Sequence, residues 1–128
     1  MLRPQPEPAL RAPLSMAQVP WVVRIDPRDG ARMVLRDTPV LIRLSRPADV
    51  RSLSERSVRV LDPAGPVPAR LSLSADGCVV IWQPQRLLVP GVEHCVVSTG
   101  LRDCRGTPVA PSRTFFVPCG LSRPELTG

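Results

Sequence analysis

No lysine, asparagine or tyrosine occurs among the 128 residues, and the aromatic side chains are two phenylalanines and two tryptophans. So few rings leave little material for the base stacking that single-strand binders use. All 17 basic residues are arginine, for a net charge of +6. Such a charge would ordinarily point to nucleic acid or an anionic membrane surface. The arginines, however, run from Arg3 to Arg123 with no two adjacent, and scattered charge of this kind marks a solvated surface. A composition rich in Ala, Pro, Val and Arg is also what GC-rich coding writes whatever the function. No apolar run approaches the ~20 residues that cross a bilayer as a helix. The single histidine and three dispersed methionines are too few for a copper carrier.

What is present is enough for one core. Hydrophobic residues make up 43% of the chain, so global disorder is not expected. The 17 prolines and 8 glycines suit many short strands joined by tight turns. The start, MLRPQPEPALRAPLSMAQVP, is broken by prolines throughout and is not a recognisable secretory signal. Residues 1–19 are expected to form a disordered, extended arm, 20–120 the folded domain and 121–128 a C-terminal tail. Three routes stay open for such a chain: it remains inside the cell, its true start lies upstream, or it leaves by another path.

From residue 21 onward, short Val/Leu/Ile-rich runs alternate with turn signals. The runs are Trp21–Ile25, Pro39–Leu44, Ser57–Leu61, Pro68–Leu73, Cys78–Gln83, Val92–Ser98 and Thr114–Val117. That punctuation predicts an all-β protein, an antiparallel sandwich of about seven strands. Asp76-Gly77 separates two of the runs and supplies the positive φ of a hairpin turn. Asp49 could cap no more than one helical turn between Pro47 and Glu55. Alternation places Trp82 inward, and His94 with Val96 on the core face of their strand.

The ordered pieces from IDPRDGA (Ile25–Ala31) to FFVP (Phe115–Pro118) resemble bacterial Ig-like domains of the S-layer and envelope-protein type. They include TPVLIRLSRPAD (Thr38–Asp49), VVIWQPQRLLVPGVEHCV (Val79–Val96) and GLRDCRGTP (Gly100–Pro108). Three positions depart from that pattern: Leu44 stands for its Phe, His94 for its Tyr and Thr107 for its Asn. The resemblance implies an Ig-like, Greek-key sandwich used for spacing, adhesion or carrying other domains in the cell envelope or in secreted proteins. A protein partner or self-assembly follows from it, with no catalytic residue and no cofactor. The alternative is a basic accessory protein that binds nucleic acid through its dispersed arginines.

The loop GLRDCRGTP, with an acid, a thiol and two arginines, also admits a reactive or metal-binding reading. In the seven-strand scheme it joins the last two strands, with Asp103 accepting backbone N–H groups and Gly106 taking a positive φ. Leu101 and Cys104 are expected to dip toward the core. His94 then starts a strand at the far end, too distant for a Cys–His dyad. The cysteine spacings of 17, 9 and 15 contain no C-x-x-C knuckle, so no metal site is expected. Topology favours a Cys78–Cys104 disulfide, while Cys95–Cys119 would need a shifted register. In a cytoplasmic protein the same four residues would be small buried thiols. The edge strand around Trp21–Ile25 is a candidate to accept a partner strand.

Overall fold

The computed structural model describes residues 19–123. The arm predicted for 1–19 therefore lies outside the described residues apart from Val19, as does the tail beyond Arg123. Nine strands are present: β1 (Val22–Asp26), β2 (Ala31–Val34), β3 (Val40–Leu44), β4 (Val58–Asp62), β5 (Gly65–Pro66), β6 (Ala69–Leu73), β7 (Val79–Pro84), β8 (His94–Ser98) and β9 (Ser112–Pro118). They form two sheets, β1-β3-β7-β6 and β2-β9-β8-β4-β5. One 3-10 turn, Val50–Ser52, is capped by Asp49, whose side chain accepts from the Arg51 N–H. The Arg51 side chain bonds the same carboxylate and, with that N–H, holds it below the usual carboxylate range.

The seven expected runs correspond to β1, β3, β4, β6, β7, β8 and β9. Two strands were not anticipated, and each has a local cause. The chain turns after Asp26 and pairs β2 with β9 in parallel, Ala31 opposite Phe116, so the second sheet is mixed where an antiparallel one was expected. ARMV has no period-2 alternation to announce this. β5 is only the return of the Asp62–Gly65 turn, pairing Leu61 with Pro66 and Asp62 with Gly65.

Alternation explains the core. The inward row of the first sheet includes Val40, Ile42, Val80 and Trp82, and that of the second Val58, Val60, Val96 and Phe116, each 1% exposed or less. Burying one such branched or aromatic side chain contributes roughly 1.5–3 kcal/mol. Leu88, Leu101 and Val109 close the sandwich from connecting segments.

The turn between β6 and β7 is built by Ser74, Asp76 and Gly77. The Asp76 carboxylate accepts from Ser74 Oγ (2.7 Å) and the Cys78 N–H (3.0 Å), which together hold it below its ordinary pKa. Gly77 has φ +75°, and a Cβ there would lie 3.2 Å from Pro47 Cβ. Gly106 has φ +85° with open space around the position. Gly77→Ala is therefore expected to cost more than Gly106→Ala, which bears only the left-handed backbone penalty of ~1–2 kcal/mol. Denaturant midpoints of the two variants measure the difference.

Candidate functional site

The loop from Gly100 to Pro111 is organised around Asp103, which is 2% exposed. Its Oδ1 accepts from the Arg105 N–H and the Thr107 N–H, both at 2.9 Å. Its own N–H donates to Thr107 O and its carbonyl accepts from the Gly106 N–H. Arg102 donates through Nη1 to Gly106 O at 2.7 Å. Leu101 is fully buried and accepts at its carbonyl from the Val109 N–H. One oxygen of the acid and one arginine of the loop are thus engaged in holding its backbone, while Asp103 Oδ2 is buried without a partner.

Cys104 does not dip into the core. It is exposed, with its N–H on Pro47 O (3.2 Å) and its Sγ–H on Ala48 O (3.5 Å). The reason is the bridge pairing Ala48 with Asp103: the inward position next to it is taken by Asp103, and Cys104 is turned outward.

His94 is fully buried. Its Nδ1 meets Val92 O at 3.0 Å, and its ring stacks on Phe116 with centroids 5.3 Å apart. Its Nε2 has no hydrogen-bond partner. Trp82 and Val96 are buried in the same core. Cys95, next in sequence, points to the opposite face, and burial pushes its thiol pKa up. The imidazole's partners are Val92 and Phe116, and no hydrogen bond joins it to a thiol among the described residues. Among the described residues no group of three or more His, Cys, Asp or Glu side chains could hold a metal ion.

Neither expected disulfide is present; all four cysteines are free. Cys78 and Cys104 do flank one turn, but the chain at Pro47–Ala48 runs between them. The Ala48 N–H donates to Gly77 O and the Cys104 N–H to Pro47 O. Two strand widths are about 10 Å, beyond the ~7 Å that a bridge tolerates between Cα atoms. Cys95 lies opposite Phe115, four residues short of Cys119 or about 13 Å along the strand. Protein denatured without reductant, with thiols trapped beforehand, is expected to carry alkyl groups on all four cysteines. Under native conditions Cys104 should react first, and Cys95, half-buried with a raised pKa, should lag behind it. Mass-spectrometric peptide mapping reads both.

A further opening lies elsewhere. A cavity of about 370 Å³ sits between the two sheets under the β5–β6 crossing, walled by Val58, Val67, Ala69, Leu71 and Trp82. Glu55 and Arg59 stand among its lining residues, as do Pro66 and Pro68. Sequence reading missed it, because a cavity formed where the chain changes sheets leaves no pattern within any one strand.

No family model and no curated protein sequence matches this chain. Solved structures do resemble it. The S-layer protein SbsC superposes with a TM-score of 0.63 and 17% identity, covering 92% of this chain and 16% of the S-layer chain. CopC from Methylosinus trichosporium OB3b gives a TM-score of 0.64 and 15% identity, covering 84% and 98%. An L,D-transpeptidase from Mycobacterium smegmatis gives 0.56 and 22%, covering 78% and 40%. This chain therefore spans a small fraction of the S-layer protein and nearly the whole length of CopC. At these identities the likeness is one of fold, an all-β sandwich also found in an S-layer protein.

Proposed function

We propose that residues 20–120 form an Ig-like, non-catalytic module for spacing or protein interaction, working in the cell envelope or a large surface assembly. The strand order supports the Ig-like reading: β1-β3-β7-β6 and β9-β8-β4 follow the order A-B-E-D and G-F-C of that sandwich. The observation that carries the functional reading is the loop around Asp103. Its carboxylate Oδ1 and the Arg102 side chain are spent on backbone groups, so the most reactive-looking segment of the sequence is a built turn.

The nucleic-acid alternative draws less support. Among the described residues three arginines are engaged by acids: Arg24 with Asp26, Arg51 with Asp49 and Arg86 with Asp62. Arg36 bonds Leu88 O. Among the described residues, Arg43 and Arg70 lie on the outer side of the first sheet and Arg59 and Arg113 on that of the second, so the charge is divided between opposite faces.

Fractionation of the native host tests the proposal. The chain is expected in the envelope or surface fraction, with DNA affinity weak at physiological salt. Recovery in the soluble cytoplasmic fraction, with DNA binding that falls steeply as salt is added, would favour the arginine–phosphate mode.

A further inference from the structure

We propose that β6 is the docking edge for an extended segment of a partner protein in which apolar residues alternate with acidic ones, the apolar side chains entering the cavity between the sheets. This rests on the reading of the chain as an interaction module and names the chemistry of its partner. Four strand edges are open among the described residues, at β1, β6, β2 and β5. Three of them are blunted. β1 is bulged between Val22 and Arg24; β2 shifts register between Ala31 and Val34; β5 is two residues long, and its Pro66 has no N–H to offer. Bulges, short strands and edge prolines are the devices that stop strand addition. β6 has none of them and pairs with β7 in unbroken register over five residues.

Ladder geometry fixes what that edge presents. The Gln85 N–H donates to Pro68 O at 3.0 Å and the Ser74 N–H to Val79 O at 2.9 Å. These pairs set the alternation, so Arg70–Gln83 and Ser72–Ile81 are the hydrogen-bonded pairs between them. Ala69, Leu71 and Leu73 therefore turn their N–H and C=O groups away from β7, toward open solvent. Their side chains pack against the core yet stay only partly buried, which is the condition of an inner row lacking its next strand.

A residue of an added strand placed opposite Leu71 shares the face of Leu71. That face opens on the 370 Å³ cavity, with Trp82 among its walls, and a leucine-sized side chain fits the space. The next residue of the added strand points outward beside Arg70, which is exposed and has no ion pair among the described residues. Opposite charges across neighbouring strands attract, so an acid suits that position. Main-chain bonds to the edge would supply affinity, and the cavity together with Arg70 would supply selectivity.

The probe is a capped heptapeptide of alternating leucine and glutamate, titrated into a Trp21→Phe protein so that Trp82 alone reports. A saturable change in Trp82 emission is expected. Ala69→Phe, which fills the cavity, and Leu71→Pro, which removes an outward N–H without costing a bond to β7, should each weaken binding by about tenfold or more. Cooperative unfolding of both variants shows that the fold is retained. Arg70→Glu should shift preference from the glutamate peptide to a lysine counterpart by about two- to fivefold. Equal binding of a peptide with serine in place of leucine would overturn the proposal, as would binding unaffected by Ala69→Phe. So would a dimer formed without peptide and lost in Ala69→Phe, which would assign the edge to a second copy. If the peptide fails to bind while the chain still fractionates with the envelope, the edge assignment falls and the module reading stands.

Discussion

Replacing Asp103 by alanine is expected to destabilise the protein by about 2–4 kcal/mol. Two backbone donors, the N–H groups of Arg105 and Thr107, end on its Oδ1 at 2.9 Å. Hydrogen bonds to a charged acceptor contribute roughly 1.5–3 kcal/mol each, and a donor left without a partner bears the full cost of desolvation. One term opposes this: Oδ2 is buried without a partner, and its removal relieves a buried polar atom. The donors outnumber it, so loss dominates. For a chain of this size the melting temperature should fall by roughly 10–20 °C. Asn at the same position keeps an oxygen for the two donors and should retain most of the stability, whereas Ser is too short to reach both. A melting temperature for Asp103→Ala within a degree or two of the parent would show that the loop is not organised by this carboxylate.

The second large effect is at Trp82. It is 1% exposed, lies opposite Val40 on β3 and Leu71 on β6, and walls the cavity between the sheets. Trp82→Ala removes the largest buried side chain and merges its volume with an opening already present. Aromatic-to-alanine changes in cores cost about 3–5 kcal/mol, more where the surroundings cannot collapse. The upper part of that range is expected, because β7 is an interior strand held on both sides and cannot move inward to close the gap. Trp82→Phe should cost markedly less, since it leaves the hydrophobic contact with Val80 and Leu71 in part. Chemical denaturation of both variants measures the pair. Equal losses would show that Trp82 acts through its indole N–H and not through its volume.

Seven of the nine strands, the hairpin at Asp76-Gly77 and the single turn capped by Asp49 were legible in the sequence. Each follows from local rules: alternation of Leu71 and Leu73 with Ser72, a left-handed glycine, and a side-chain acceptor before a turn. The resemblance to S-layer-type domains anticipated a fold that an S-layer structure shares. What the sequence could not show depends on neighbours far along the chain. β2 exists only because β9 lies beside it, and Gly30 reaches β9 through its N–H on Phe115 O at 2.7 Å. Cys78 and Cys104 share an end of the sandwich, but the Pro47–Ala48 segment that separates them is unseen by any argument from strand ends. Cys104 faces outward because Asp103 occupies the inner position, and a choice between two adjacent residues is set by the bridge to Ala48. The cavity and the open edge of β6 arise from the change of sheet between Val67 and Pro68, where Val67 still donates to Val60 O and Pro68 already accepts from Gln85.

Residue-resolved amide hydrogen exchange on β6, with and without the alternating leucine–glutamate peptide, tests the central claim most directly. In the free protein Arg70 and Ser72 should be protected by β7, while Ala69, Leu71 and Leu73 exchange rapidly from the open edge. At saturating peptide the latter three should become protected and the former two should change little. Protection of Ala69, Leu71 and Leu73 already in the free protein, or rapid exchange that persists at saturation, would contradict strand docking on this edge.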